Sequence, residues 1–176
     1  MYNRMQLETA PQLKKMQDLV WALCKEDKPE NEKELLAELT LIGAYFKRRN
    51  NLLFISETQD TIRMAELGYC FRESVSALEL QGVTGSCLVE DQGNISLSES
   101  IQLYDAFQSV LQKTFSCINS VAVFLRTAES GFEMCISLHL TTEMTFQFDS
   151  DFRIEQEEEN DYLLTYFVAR GEGDGK

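Results

Sequence analysis

Positive charge is scarce in this chain: 29 acidic side chains stand against 16 basic ones, a formal net charge of −13. Nonspecific adhesion to nucleic acid or to an anionic membrane surface relies on basic patches and released counterions, so no nucleic-acid partner is expected and proteins are the expected partners. Long apolar runs are missing as well. No stretch approaches the roughly 18 to 20 residues of a membrane span, and the polar start MYNRMQLETA has no apolar signal-peptide centre. No membrane insertion and a cytoplasmic location follow as expectations. The five cysteines, Cys24, Cys70, Cys87, Cys117 and Cys135, are odd in number, widely spaced and never in a CxxC pair. Neither a zinc site nor a disulfide framework is indicated, and they read as small buried hydrophobes. Histidine occurs once, as His139, with no cysteine, serine or acid pair in an identifiable motif around it. It reads as a strand histidine with a satisfied hydrogen bond.

What is present begins with helix. At 176 residues the chain can bury a real core, either as one domain or as a helical module joined to a small α/β unit. Leu13, Met16, Val20 and Leu23 follow a helical 3,4,3 spacing, which predicts a stripe on a helix over about residues 3–25. KEDKPEN breaks it, Pro29 suits the first turn of a second helix, and Leu35, Leu39, Ile42, Phe46 and Leu53 give that helix a matching seam. Two such seams joined by a short turn predict a helical hairpin. After the polar SETQD a third helix carries Met64, Gly68, Phe71, Val75 and Leu78 on one side and stops near Gly82, a natural left-handed cap.

From there the period changes. VTGSCLVE alternates as a strand, DQGN is a turn, and SLSESIQLYDAFQSVLQKTF is an amphipathic helix whose Ser96 and Glu99 form a capping box. SVAVFLRTA and FEMCISLHLT read as two strands around a tight turn containing Gly131, and EMTFQFD and YLLTYFVAR as further strands. EQEEEND between them reads as a solvated loop or a charged strand edge rather than a metal loop. The fold class expected is α+β: a helical dimerisation region over 1–81, an α/β sandwich with a mixed or antiparallel sheet over 82–170, and a disordered tail over 171–176.

One short stretch, GAYFKRRNN, gathers Lys47, Arg48 and Arg49 in so acidic a chain. On a helix with Phe46 and Leu53 in the seam, Lys47, Arg48 and Asn51 project together from the other side. One reading makes them solvated residues in the C-terminal half of a helix, favoured by its dipole. The other makes Lys47, Arg48, Arg49 and Asn51 a dock for an acidic partner or for the chain's own segment around Glu157 to Glu159. Gly43 within this helix costs roughly 1 kcal/mol relative to alanine, which a close helix approach would explain.

The order of elements, a hairpin with heptad seams followed by strand, helix SLSESIQLYDAFQSVLQKTF, and strands SVAVFLRTA and FEMCISLHL, resembles the cytoplasmic core of bacterial sensor histidine kinases. In that family a dimerising hairpin precedes a GHKL-type ATPase domain, and the resemblance spans roughly residues 1–148. The family's glutamate and Mg²⁺-binding asparagine fall on Ser109 and Lys113. The resemblance therefore implies loss of the metal ligand, although a lysine there could meet a phosphate directly. ISLHLTTEMTF lacks the family's aspartate-glycine motif, which implies loss of adenine recognition and of the lid. GEGDG, near the end of the chain, has no helix after it to bind phosphate. The phosphoacceptor histidine matches Tyr2-Asn3 or, in another register, Glu32, and neither carries imidazole. What the resemblance implies is a noncatalytic, homodimeric signalling module without cofactor, acting through protein binding. Two alternatives stay open: a kinase or phosphotransferase fragment that retains ATP binding, and a sensor for an apolar small molecule held among the aromatic residues of YDAF, FLRTA and TFQFD.

Overall fold

Helix α1 (Tyr2–Leu23) and helix α2 (Pro29–Ile55) form an antiparallel hairpin, in which Pro29 opens α2 and Glu30 and Glu32 sit in its first turn, where the helix dipole favours them. This is a computed structural model that describes residues 2–90 and 93–171, with side chains from Thr9 onward. The expected Tyr2-Asn3 side chains, the first two residues of the DQGN turn and nearly all of the expected disordered tail lie outside the described residues.

The inward face of α1 is rotated from the expected stripe. Leu19 is buried and Met16 and Leu23 are half-buried, while Leu13 and Val20 are exposed. A single helix packing beside one other covers only a narrow arc, so half of the apolar stripe is left outside the hairpin. Lys15 closes the pair with an ion pair to Glu38 at 2.8 Å. The α2 seam is seated as expected, with Ile42 and Leu53 buried and Leu35, Leu39 and Phe46 half-buried. Helix α2 also buries a second stripe, Ala37, Leu41, Tyr45 and Leu52, in the main core.

That core lies between the helices and a sheet. Strand β1 (Thr61–Arg63) pairs antiparallel with β3 (Asn94–Ser96) in a two-stranded ribbon that the sequence reading missed. Helix α3 (Met64–Leu78) ends in a turn of 3₁₀-helix at Glu79–Gln81, and Gly82 takes the left-handed conformation (φ 84°) expected of it. Strand β2 (Thr84–Val89), helix α4 (Leu97–Thr114) and strands β4 (Ile118–Ala128), β5 (Gly131–Leu140), β6 (Arg153–Glu158) and β7 (Asp161–Ala169) complete the order. The capping box of α4 is formed: Glu99 N donates to Ser96 Oγ at 3.2 Å, and Ser96 N to Glu99 Oε2 at 3.0 Å. The five-stranded sheet runs β2-β4-β5-β7-β6, with β2 and β4 parallel and the remaining pairs antiparallel. The fold is α+β with a mixed sheet, as the sequence implies.

Three expectations are corrected. EMTFQFD is not a strand: residues 143–148 have no regular secondary structure, and β7, against which their aromatic side chains lean, already pairs with β5 on one side and β6 on the other. The cysteines are not uniformly buried; Cys70 is, Cys87, Cys117 and Cys135 are half-buried, and Cys24 is exposed. Gly43 does not mark a close helix contact, since a Cβ there would meet nothing nearer than Met16 Cε at 3.9 Å.

Close approach is instead made at Gly85 and Gly131. A Cβ on Gly85 would lie 2.1 Å from Val75 Cγ1 of α3, and one on Gly131, at the start of β5, 2.1 Å from the carbonyl oxygen of Val168. Gly131→Ala should therefore lower the free energy of unfolding by about 1–3 kcal/mol, because backbone must move to admit the methyl group. Gly43→Ala should raise it by up to about 1 kcal/mol. Denaturant midpoints of the two variants against wild type test both signs.

Candidate functional site

The three cations of the basic stretch of α2 are paired with carboxylates of the fold. Lys47 and Arg48 both meet the carboxylate of Glu73 on α3. Arg49, whose side chain is only 11% exposed, grips Asp105 of α4 through Nε, at 2.9 and 3.1 Å to the two carboxylate oxygens, and through Nη2 at 3.1 Å. One turn earlier on the same face, Tyr45 donates its hydroxyl to Asp105 Oδ1 at 2.7 Å. Asn51 is exposed. Of the four candidate docking residues, three thus make ion pairs with carboxylates of α3 and α4. Glu73 and Asp105 lie some 25 and 56 residues further on, beyond the reach of any helical spacing.

Burial and the neighbouring Asp105 carboxylate push the Tyr45 hydroxyl far above the usual phenol range, so it acts here as a fixed donor. The ring of Tyr45 stands 5.3 Å from that of Tyr104, which continues to Phe71 and Phe107. Burial alone would raise the Glu73 carboxyl, but hydrogen bonds from Lys47 and Arg48 and their charges outweigh it and hold the group below its ordinary value.

The residues matched to the lost metal site, Ser109 and Lys113, sit on the outer side of α4. They line a recess of about 270 Å³ together with Asp105, Phe148, Ser150 and Tyr166. Its roof is the irregular strap 141–152. Phe146, Phe148 and Phe152 run along the strap, with Phe146 and Phe148 stacked at 5.6 Å and Phe148 and Phe152 tilted at 4.8 Å, and Phe146 and Phe152 lean on Tyr162 and Tyr166 of β7. Met144 N donates to the Tyr162 hydroxyl at 3.1 Å, and Lys113 Nζ stands 4.7 Å over the Phe148 ring. The lysine ammonium is thus directed at the chain's own aromatic strap. His139 Nδ1 is hydrogen-bonded to Asp161 Oδ1 at 2.6 Å in the register pair of β5 and β7, as a satisfied strand histidine would be. Among the described residues no group of three histidine, cysteine, aspartate or glutamate side chains could hold a metal ion, and no helix is long and apolar enough to cross a membrane.

The hairpin presents a different surface. Leu13, Val20 and Trp21 on α1 are 42%, 45% and 67% exposed. Leu13 and Val20, seven residues apart, share one face of the helix, and Trp21 stands about 100° further round it from Val20.

No protein-family model and no curated protein sequence matches the chain. Among solved structures it is similar to a bacterial phosphotransferase, with a TM-score of 0.48 at 10% identity over 94% of this chain and 92% of the other. It is also similar to the Acinetobacter baumannii histidine kinase AdeS, with 0.47 at 6% identity over 93% and 97%. A third likeness is to the histidine kinase domain of a blue-light activated histidine kinase from Erythrobacter litoralis, with 0.44 at 10% identity over 87% and 93%. The likeness is a distant one of overall fold, and no residue role is taken from it.

Two measurements probe the junction. Asp105→Asn removes the carboxylate shared by Tyr45 and Arg49 and should cost about 1.5–3 kcal/mol of stability, read from urea unfolding. Glu73 has a folded-state pKa below its unfolded value, near 4.3 for a free glutamate. Its contribution is complete above that value and is lost as pH falls through the lowered folded pKa. The stability difference between wild type and Glu73→Gln should therefore be constant at neutral pH and shrink as pH drops below about 4.

Proposed function

We propose that this chain is a noncatalytic signalling module, a histidine-kinase-like core that pairs with a second copy and binds other proteins. The observation that carries the reading is the exposure of Leu13, Val20 and Trp21, large apolar side chains left uncovered on a helix that packs against α2. A two-helix hairpin cannot bury apolar residues all round, and a second hairpin completes a four-helix core. Residues 1–81 then serve as the pairing region and residues 82–170 as the scaffold, in a cytoplasmic setting. The noncatalytic half of the reading is supported by Lys113 and Ser109 at the positions of the family's metal machinery, and by the aromatic strap over the same helix.

Lys47, Arg48, Arg49 and Asn51 remain the candidate dock for a protein with an acidic surface. Such a partner competes with Glu73 and Asp105 for the same cations, so half-exposed Lys47 and exposed Asn51 would meet it first.

A second reading, a kinase or phosphotransferase fragment that still binds ATP, is favoured by the recess beside Lys113. Calorimetry separates the two. ATP with Mg²⁺ should give no binding heat, and labelled ATP should leave no label on the protein. Heat that disappears in Lys113→Met would replace the proposal by the second reading. Sedimentation at micromolar concentration should show a dimer, and a monomer there would remove the pairing.

A further inference from the structure

The five-stranded sheet ends on two strands of opposite character. Its β6 edge carries Arg153, Glu155, Glu157 and Glu158, whereas the β2 edge, Thr84–Val89, reads TGSCLV, with no charge, no proline and an unbroken register against β4. Sheets guard an open edge with charge, proline or irregular pairing, because a bare edge is a template for another strand. Strand β2 has none of these guards.

Parity identifies the backbone groups that are open. Glu90 N donates to Leu125 O of β4, and alternate residues of a strand face the same neighbour, so Ser86 and Leu88 also turn their backbone to β4. The N–H and C=O groups of Gly85, Cys87 and Val89 point off the sheet, and among the described residues no hydrogen bond reaches them. Gly85 has no side chain and is partly exposed, so solvent reaches the backbone here. Helix α3 does not close the edge. A Cβ on Gly85 would meet Val75 of α3 and Val121 of β4 together, which puts α3 over the β2-β4 pair, on the inner face of the sheet.

The two sides of the edge differ. On the face away from α3, Leu88 is 65% exposed. On the α3 side stand Tyr69 and Arg72, both exposed, with Arg72 Cζ 4.7 Å over the Tyr69 ring. A Cβ on Gly68 would lie 3.2 Å from Val89 Cγ2 and 3.4 Å from Arg72 Nη2, and the arginine charge works against the burial that pushes the Cys87 thiol up to about 11. The guanidinium therefore stands beside Cys87 and Val89. Among the described residues Arg72 makes no ion pair. The two carboxylates of α3 are taken, Glu66 by Arg63 at 3.8 Å and Glu73 by Lys47 and Arg48, and Glu90 is turned to β4, where it accepts from Thr127 N at 3.3 Å.

We propose that β2 is a docking edge for an extended segment of another protein, which adds to the sheet as a further strand, sets an aspartate or glutamate against Arg72 and lays an apolar side chain beside Leu88. A bare edge prescribes its occupant as an apolar face does not: only an extended chain answers the alternating donors and acceptors of Gly85, Cys87 and Val89. A second copy suits the edge less well, since its own β2 would bring no carboxylate to Arg72. The proposal rests on the protein-binding half of the reading above but shares no residue with its Lys47 to Asn51 dock, so either surface can fail alone.

The probe is a short synthetic peptide of alternating valine and threonine with one central glutamate, compared with the same peptide carrying a central lysine. Amide exchange of the full chain is followed by NMR. In the free protein the Cys87 and Val89 amides should exchange fast and those of Ser86 and Leu88 slowly. The glutamate peptide should protect Cys87 and Val89, and it should bind about tenfold more tightly than the lysine peptide. Arg72→Glu should reverse that preference. Leu88→Lys should weaken both peptides and leave the thermal melt unchanged, since the side chain is largely in solvent. Protection of Cys87 and Val89 without peptide overturns the proposal: if it grows with protein concentration, a second copy holds the edge, and if it does not, the edge is closed within one copy. Failure of both peptides to protect these amides at millimolar concentration also overturns it, as does an Arg72→Glu variant that keeps the wild-type preference. Sedimentation reads the pairing of copies separately, so its outcome and this one stay distinct.

Discussion

Helix α2 is buried on two faces at once, and the arrangement of the other elements follows from that. Its Ile42 and Leu53 face the hairpin side while Leu41, Tyr45 and Leu52 enter the core shared with α3, α4 and the sheet. With two sides committed, a third is left as the strip of Leu36, Thr40, Gly43 and Ala44. That strip has small residues and one large one, so it offers space rather than surface. The charged end of the same helix meets the same constraint. Lys47, Arg48 and Arg49 come round to α3 and α4 on successive positions, where Glu73 and Asp105 neutralise them. An arginine as enclosed as Arg49 would be strongly destabilising without a carboxylate partner, so Asp105 is fixed by α2 as much as by its own helix.

Local signals were legible. The Ser96 and Glu99 capping box, the left-handed Gly82 and the alternating β4 and β5 each depend on residues a few positions apart, and each forms as its pattern implies. What depended on distant partners was not. Strands β1 and β3 are three residues each and exist only because Ile62 lies opposite Ile95 across a long separation in sequence. The strap shows the reverse case. Met144, Phe146, Phe148 and Phe152 occupy even positions as in a strand and are half-buried accordingly, yet strand pairing requires a free edge, which β7 does not have. Alternation reports which side of a segment is buried; it does not report hydrogen bonding.

The candidate site divides the same way. The concentration of cations at Lys47 to Arg49 was visible in the sequence, but their use was not, because a helical wheel shows where side chains point and not what stands opposite. The stripe of Leu13 and Val20 was visible too, and its assignment to the intramolecular seam was off by one step round the helix. A 3,4 spacing fits any of several adjacent stripes on a helix that is apolar over a wide arc. Met16 and Leu23 belong to both the inward and the outward edge of that arc, so composition alone could not decide which side α2 would cover.

Acidity and architecture are linked at the sheet margin. Strand β6 is an edge, and all of Arg153–Glu158 is exposed, with Glu155, Glu157 and Glu158 along it. Charge on an edge strand discourages another strand from adding to it. The opposite edge, β2, carries no charge from Thr84 to Val89, but α3 packs on it closely enough that Gly68 and Gly85 admit no larger residue without displacement. One edge is guarded by repulsion and the other lies beside a closely packed helix. Association through sheet edges is thereby disfavoured at β6, while the hairpin carries exposed apolar groups. Those groups lie on the helix that shares its covered face with α2, the element tied by Arg49 and Tyr45 to α4. A partner seated on the hairpin would bear on a helix that is continuous with the core, so any shift it imposed would reach Asp105 through buried, hydrogen-bonded side chains rather than through a flexible link.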